Sequence, residues 1–134
     1  MIKEPCSSTD MGYPSKKYSF PTKRYCQTLS LINDPDLIEE YKRIHSEENS
    51  WREIREGIRS VGILEMEIYI YGTIVCMIVD TPLDFNWEVA MEKLSHLPRQ
   101  QEWEDRVSLI QQSSFGATSA DKWHLMERFF HLYE

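Results

Sequence analysis

Apolar residues recur along this chain with two different periods, and the switches between them lay out its elements. From Arg24 to Ile32 the run Arg-Tyr-Cys-Gln-Thr-Leu-Ser-Leu-Ile is rich in strand formers and stops at Asn33-Asp34-Pro35, a turn and helix-start signal. Asn33 or Asp34 is placed to cap the next helix, Pro35 suits its first turn, and Asp36, Glu39 and Glu40 complement its positive end. Helical spacing then carries Ile38, Tyr41, Ile44 and His45, falters over Ser46 to Ser50, and resumes with Trp51, Ile54, Ile58 and Val61 until Gly62 stops it. The step from His45 to Trp51 does not fit one unbroken inward stripe, so a kink, bulge or short loop is expected near Glu47 to Ser50.

Period two takes over from Ile63 to Ile70, where Leu64, Met66, Ile68 and Ile70 alternate with Glu65, Glu67, Tyr69 and Tyr71 to make a strand with two unlike faces. Gly72 supplies a turn. Thr73 to Asp80, nearly all apolar, reads as a central strand buried on both sides and paired in a hairpin with its predecessor. Phe85 to Leu97 places Trp87, Ala90, Met91 and Leu94 at helical spacing, and Pro98 to Gln112 adds Trp103, Val107 and Ile110, giving two helical pieces broken at Leu97-Pro98. A polar loop from Gln112 to Asp121 and a fourth strand from Trp123 to Leu132 complete the order β-α-β-β-α-(α)-β. That order is α+β, the ferredoxin-like βαββαβ unit in which helices cover one face of an antiparallel sheet of four strands. Tyr25, Tyr69, Tyr71 and Phe129 are the aromatic residues expected on the uncovered face. Pairing two copies through that face gives a two-fold dimer.

Composition narrows the picture. Residues 1–22, with Pro5, Pro14, Pro21, Gly12 and many Ser and Lys, lack apolar periodicity and are expected to be a flexible tail ahead of one domain over residues 23–134. A chain of 134 residues is long enough for a true core. The formal charge of −7 repels phosphate backbones, which sets nucleic acid aside, and the cluster Lys16, Lys17, Lys23 and Arg24 reads as a solvated part of the tail. Cys6, Cys26 and Cys76 are odd in number and lack C-x-x-C spacing, as expected of reduced thiols in the cytoplasm. The longest apolar run, Ile74 to Val79, falls far short of the ~20 residues of a membrane span, so neither export nor membrane anchoring is expected.

The chemistry rests on few residues. The chain has no Gly-rich phosphate loop, G-x-G-x-x-G, H-E-x-x-H or G-x-S-x-G motif, which leaves nucleotide, dinucleotide, zincin and serine-hydrolase readings unsupported. His45 with Glu48 or Asn49 has helical ligand spacing, a pattern common by chance, and neither a metal nor a cofactor is expected. Tyr41 and His45 stand four apart, on one helix face with Cβ atoms roughly 5–6 Å apart. Such a pair is either structural or catalytic, and spacing alone does not choose. His96, His124 and His131 have less to recommend them, lying near a helix end or beside the last strand. Trp51, Trp87, Trp103 and Trp123 are core residues by default, yet indole faces also pack on sugar C–H groups, so they admit a carbohydrate site.

Taken together, Glu40-Tyr41-x-x-x-His45, Gly62 leading into Met66-Glu67-Ile68-Tyr69, Gln101-Glu102-Trp103-Glu104 and Met126-Glu127-Arg128-Phe129 resemble the L-rhamnose mutarotase family from about Arg24 to Leu132. The resemblance implies a ferredoxin-like fold of the dimeric α/β barrel type, a homodimer through the open sheet face, and cofactor-free interconversion of the α and β anomers of a 6-deoxy-L-sugar. It assigns His45 as proton donor, Tyr41 as a substrate contact, and Trp103 to a tryptophan pair that packs on the sugar. Two positions depart from the family: Met66 replaces a substrate-contacting tyrosine and Glu104 replaces the second tryptophan, so both are candidate substrate-binding residues with altered chemistry. The run Gly62-Ile63-Leu64-Glu65-Met66-Glu67-Ile68-Tyr69 is more similar to the branch associated with L-fucose, which tips the expected substrate toward L-fucose over L-rhamnose.

Mutarotation needs one acid and one base, and an imidazole with an ordinary pKa of about 6.5 serves as either. The second group is not identified by sequence; Glu67 and Glu127 are candidates, although alternation puts Glu67 on the face opposite Met66. Two rivals remain on the same scaffold: a non-catalytic ligand-binding or regulatory domain, and a cofactor-free oxygenase.

Overall fold

The computed structural model describes residues 10–46, 51–112 and 122–133. Its elements are β1 (Thr22–Ser30), α1 (Pro35–His45), α2 (Arg52–Ser60), β2 (Glu65–Tyr71), β3 (Ile74–Pro82), α3 (Trp87–Ser95), α4 (Gln100–Ser108) and β4 (His124–Leu125). The strands form one antiparallel sheet in the order β2-β3-β1-β4, the ferredoxin-like arrangement expected from the element order.

Local chemistry explains the boundaries. Asp34 Oδ1 accepts hydrogen bonds from the Asp36 and Leu37 amides at 2.9 and 3.4 Å, and Pro35 opens the first turn of α1. Gly62 after α2 and Gly72 in the β2–β3 hairpin adopt φ of 106° and 63°, which side chains with a Cβ resist. Pro98 separates α3 from α4, and Arg99 takes the left-handed φ of 64° where the chain turns into α4. The stripe expected as one faltering helix is two helices: α1 ends at His45 with Ser46 extended, and α2 begins after an extended Trp51. The irregularity expected at Glu47 to Ser50, and the loop beyond Gln112 up to Asp121, lie outside the described residues.

Register decides what each face carries. Tyr25, Gln27 and Leu29 of β1 stand opposite Val79, Met77 and Val75 of β3, which stand in turn opposite Met66, Ile68 and Ile70 of β2. This face packs against the helices in a core that includes Leu31, Tyr41, Ile44, Val107, Ile110 and Trp123. The other face carries Cys26, Cys76, Ile78, Tyr69, Tyr71 and Ile74, with Arg24 paired to Asp80 at 2.8 Å. Tyr25 therefore sits on the covered face, contrary to expectation, stacked 4.5 Å from Trp87. β3 is likewise buried on one face only in the single chain, because nothing among the described residues covers Ile74 or seals Cys76 and Ile78.

The fourth strand, expected over Trp123 to Leu132, is only His124–Leu125. β4 pairs with β1 only at Gln27 and Thr28, and the Met126 amide adds one bond of 2.8 Å to the Cys26 carbonyl. Phe129, Phe130 and Tyr133 consequently run exposed beyond it, with Phe129 94% accessible. Ahead of β1, residues 10–21 form no helix or strand, yet Tyr18 donates to Asp80 Oδ2 at 3.2 Å and Tyr13 lies edge-on to Tyr69. No helix among the described residues is long and apolar enough to cross a membrane.

Candidate active site

The covered face of the sheet and the helix layer do not close completely. Between them lies a cavity of about 440 Å³, within the range of small-molecule sites. All five residues singled out in the sequence line it: Tyr41 and His45 from α1, Met66 from β2, Trp103 and Glu104 from α4. Glu67 points to the opposite face, where the Tyr69 hydroxyl donates to it at 3.0 Å, and Glu127 is exposed beyond β4, so neither carboxylate reaches the cavity. Glu48 and Asn49 lie outside the described residues, and among those described no three His, Cys, Asp or Glu side chains group as a metal site.

His45 is held by its own helix. Its Nδ1 lies 2.6 Å from the Tyr41 carbonyl oxygen, which only accepts, so Nδ1 carries the hydrogen and Nε2 keeps a lone pair. Tyr41 flanks the imidazole with ring centroids 4.4 Å apart, and Trp103 meets it edge-on at 5.1 Å. Burial among these rings lowers the His45 pKa from 6.5; the Tyr41 carbonyl opposes that shift and the Arg55 charge adds to it. The ring is thus neutral at pH 7, with one basic nitrogen. Burial pushes the Tyr41 phenol up to about 12, helped by the Glu104 charge and opposed by Gln111, so the phenol stays protonated and serves as a hydrogen-bond donor.

The walls differ in character. Met66, Ile68 and Met77 make an apolar side on the sheet. Trp51, Trp87, Trp103 and Trp123 all border the space, and Trp51 meets Trp103 edge-to-face at 5.4 Å. Trp51 thereby supplies a second indole beside Trp103 although Glu104 stands next to Trp103 in sequence. The Arg99 guanidinium lies 4.1 Å from the Trp51 ring centre and fixes its outer face. Glu104 is buried against Lys122, whose Nζ lies 2.8 Å from its Oε1, while Gln100 Nε2 donates to its Oε2 at 2.7 Å.

Gln27 and Gln111, which the sequence did not single out, also reach the cavity, as does Trp51, one of the four tryptophans that admit a carbohydrate site. Gln111 gets there because the chain after α4 pairs with the end of β1. Ile32 donates to the Ile110 carbonyl at 2.8 Å, Gln112 donates to the Ser30 carbonyl at 2.9 Å, and Leu31 bridges Gln111. Gln111 Nε2 then donates to the Tyr41 hydroxyl at 3.2 Å. Trp51 carried a signal in its position just after the break in the helical stripe; Gln111 carried none, since its placement depends on a long-range pairing.

A family model for L-rhamnose mutarotase matches residues 24–132. The chain belongs to the L-rhamnose mutarotase family. Members of that family are isomerases acting on sugar anomers. An L-fucose mutarotase of Xanthomonas campestris is 30% identical over 112 residues, covering 84% of this chain and 90% of that protein. A UPF0734 protein of Dictyostelium discoideum is 38% identical over 91 residues, covering 67% of this chain and 71% of that one. Among solved structures, an L-rhamnose mutarotase from Formosa agariphila superposes with a TM-score of 0.62 at 17% identity, over 83% of this chain and 99% of that chain, a likeness of fold.

Proposed function

We propose that this mutarotase-family chain interconverts the α and β anomers of a 6-deoxy-L-hexose, with L-fucose preferred to L-rhamnose. The observation that carries the reading is His45: a neutral imidazole in an aromatic cavity, its Nδ1 fixed by the Tyr41 carbonyl at 2.6 Å and its Nε2 left as a proton acceptor. In the proposed reaction Nε2 takes the proton of the anomeric hydroxyl, the aldehyde carbonyl forms, and the C1–O5 bond breaks with its electron pair going to the ring oxygen. That oxygen is protonated through water while the Tyr41 hydroxyl holds the sugar. Rotation about C1–C2 and the reverse transfers, in which His45 is the donor, close the other anomer.

The apolar side made by Met66, Ile68 and Met77 suits the methyl group that marks a 6-deoxy sugar, and the indoles of Trp51 and Trp103 suit its C–H faces. The preference for L-fucose is supported by the similarity to an L-fucose mutarotase and by Met66, which offers no hydroxyl. A homodimer through the open face is supported by its exposed apolar residues, Tyr71 at 90% and Ile74 at 49% accessible. A reducing, cytoplasmic setting suits Cys26 and Cys76, whose sulfurs lie 3.3 Å apart as free thiols.

Saturation-transfer NMR on a panel of L-fucose, L-rhamnose and D-glucose tests the reading. Faster anomer exchange is expected for L-fucose, then L-rhamnose, and none beyond the spontaneous rate for D-glucose. Binding of an L-sugar without faster exchange points to a binding module instead.

A further inference from the structure

The floor of the cavity holds a polar atom with nothing to bind. Gln111 is 4% exposed, and its Oε1 is the one buried side-chain oxygen or nitrogen among the described residues without a hydrogen-bond partner. Its Nε2 is engaged, donating to the Tyr41 hydroxyl at 3.2 Å. Folded proteins satisfy nearly all buried polar groups, so an orphan acceptor on a cavity wall marks a place where a ligand donates. Tyr41 is complementary: its oxygen accepts from Gln111, and its own hydrogen has no acceptor among the described residues. Donor and acceptor therefore stand side by side, Tyr41 on α1 and Gln111 on the bridge after α4, in a cavity that Met66 and Met77 of the sheet also line. Turned the other way round, the amide still offers one polar atom to Tyr41 and one to the cavity.

We propose that Gln111 is a substrate-binding residue that selects for one particular sugar hydroxyl, which donates to Gln111 Oε1 beside a hydroxyl held by Tyr41. The inference rests on the mutarotase reading above and deepens it. A hydroxyl pair fits this donor and acceptor, whereas a ligand with only C–H groups at that position leaves Oε1 unsatisfied and is rejected. Burial, with a smaller addition from the Glu104 charge, raises the Tyr41 pKa, so the phenol stays a donor. The polar floor thus reads hydroxyl configuration while the methionine side reads the methyl group, two independent checks on one sugar.

The test is a coupling experiment on the full chain. Dissociation constants of the 2-, 3- and 4-deoxy analogues of whichever L-sugar the wild type converts are measured by tryptophan fluorescence, in wild type and in Gln111→Met. In wild type one analogue is expected to bind about tenfold or more weakly than the parent sugar, and in Gln111→Met that penalty is expected to vanish, while the parent sugar itself weakens by a similar factor. Gln111→Met also removes the hydrogen bond to the Tyr41 hydroxyl, so its melting temperature is expected to fall modestly; the loss of one analogue's penalty, which a purely structural glutamine would not show, is the discriminating readout. Gln111→Leu serves if the methionine variant does not fold. Equal analogue penalties in wild type and variant overturn the proposal while leaving the mutarotase reading intact. Failure of the wild type to bind or interconvert any L-sugar overturns both.

Discussion

The two faces of the sheet come from the same strands, yet they are built for different work. On the covered face, polar side chains are buried and engaged: Gln27, Gln111 and the Glu104–Lys122 pair lie among indoles, phenol and methionines. On the open face the order is inverted, with apolar Tyr71, Ile74 and Tyr69 exposed and the charged pair Arg24–Asp80 at its border. Buried polarity is costly and is kept where it binds or reacts; exposed apolar surface is costly and is kept where something covers it. On the proposed reading the first face is the chemical one and the second the associative one.

The sharpest break in this contrast is Lys122→Met, which leaves the Glu104 carboxylate buried without its cation. A loss of roughly 3–5 kcal/mol of folding stability is expected in urea denaturation, with most of it recovered in the double variant Lys122→Met/Glu104→Leu. An unchanged unfolding midpoint in the single variant would show that the pair is not buried as described. On the open face, Tyr71→Asp would bring like charges together across the proposed two-fold interface. Sedimentation velocity is expected to show the dimer dissociation constant raised about tenfold or more, roughly 1.4 kcal/mol, with monomer folding unchanged. Identical sedimentation of wild type and variant removes that face from assembly.

The smallest effect is in pH. Burial lowers the His45 pKa below 6.5, so the basic form dominates at neutrality. Exchange is expected to be level above pH 6.5 and to fall on acidification with a midpoint below 6.5, read from the rate profile. The unfolded chain, with its ordinary imidazole, takes up the proton first, so the His45 contribution to stability is complete above 6.5 and declines as pH falls beneath it. Exchange that rises on acidification would mean that the acid form carries the rate.

Much of this contrast was legible in the sequence, because alternation in Ile63 to Ile70 separates Met66 from Glu67 and helical spacing puts Tyr41 and His45 on one side. The cap at Asp34 and the stop at Gly62 were legible for the same local reason. What the sequence hid is tertiary. Tyr25 shares the covered face with Leu29, but the polar Gln27 between them interrupts the apolar alternation that would reveal it. Trp123 to Leu132 reads as strand, but only His124–Leu125 pairs, with Thr28 and Gln27 of β1. Gln111 reaches Tyr41 because the chain after α4 bridges Leu31, and Lys122 finds Glu104 across the fold; neither contact leaves a periodic trace.

The central claim is that the His45 imidazole moves the proton. Saturation transfer between the anomer signals of L-fucose, measured with wild type and with His45→Ala at equal concentration, tests it directly. The variant is expected to keep the wild-type circular dichroism and to lose about 10²–10⁴-fold in exchange rate. Exchange at the wild-type rate in a folded His45→Ala protein would contradict the claim.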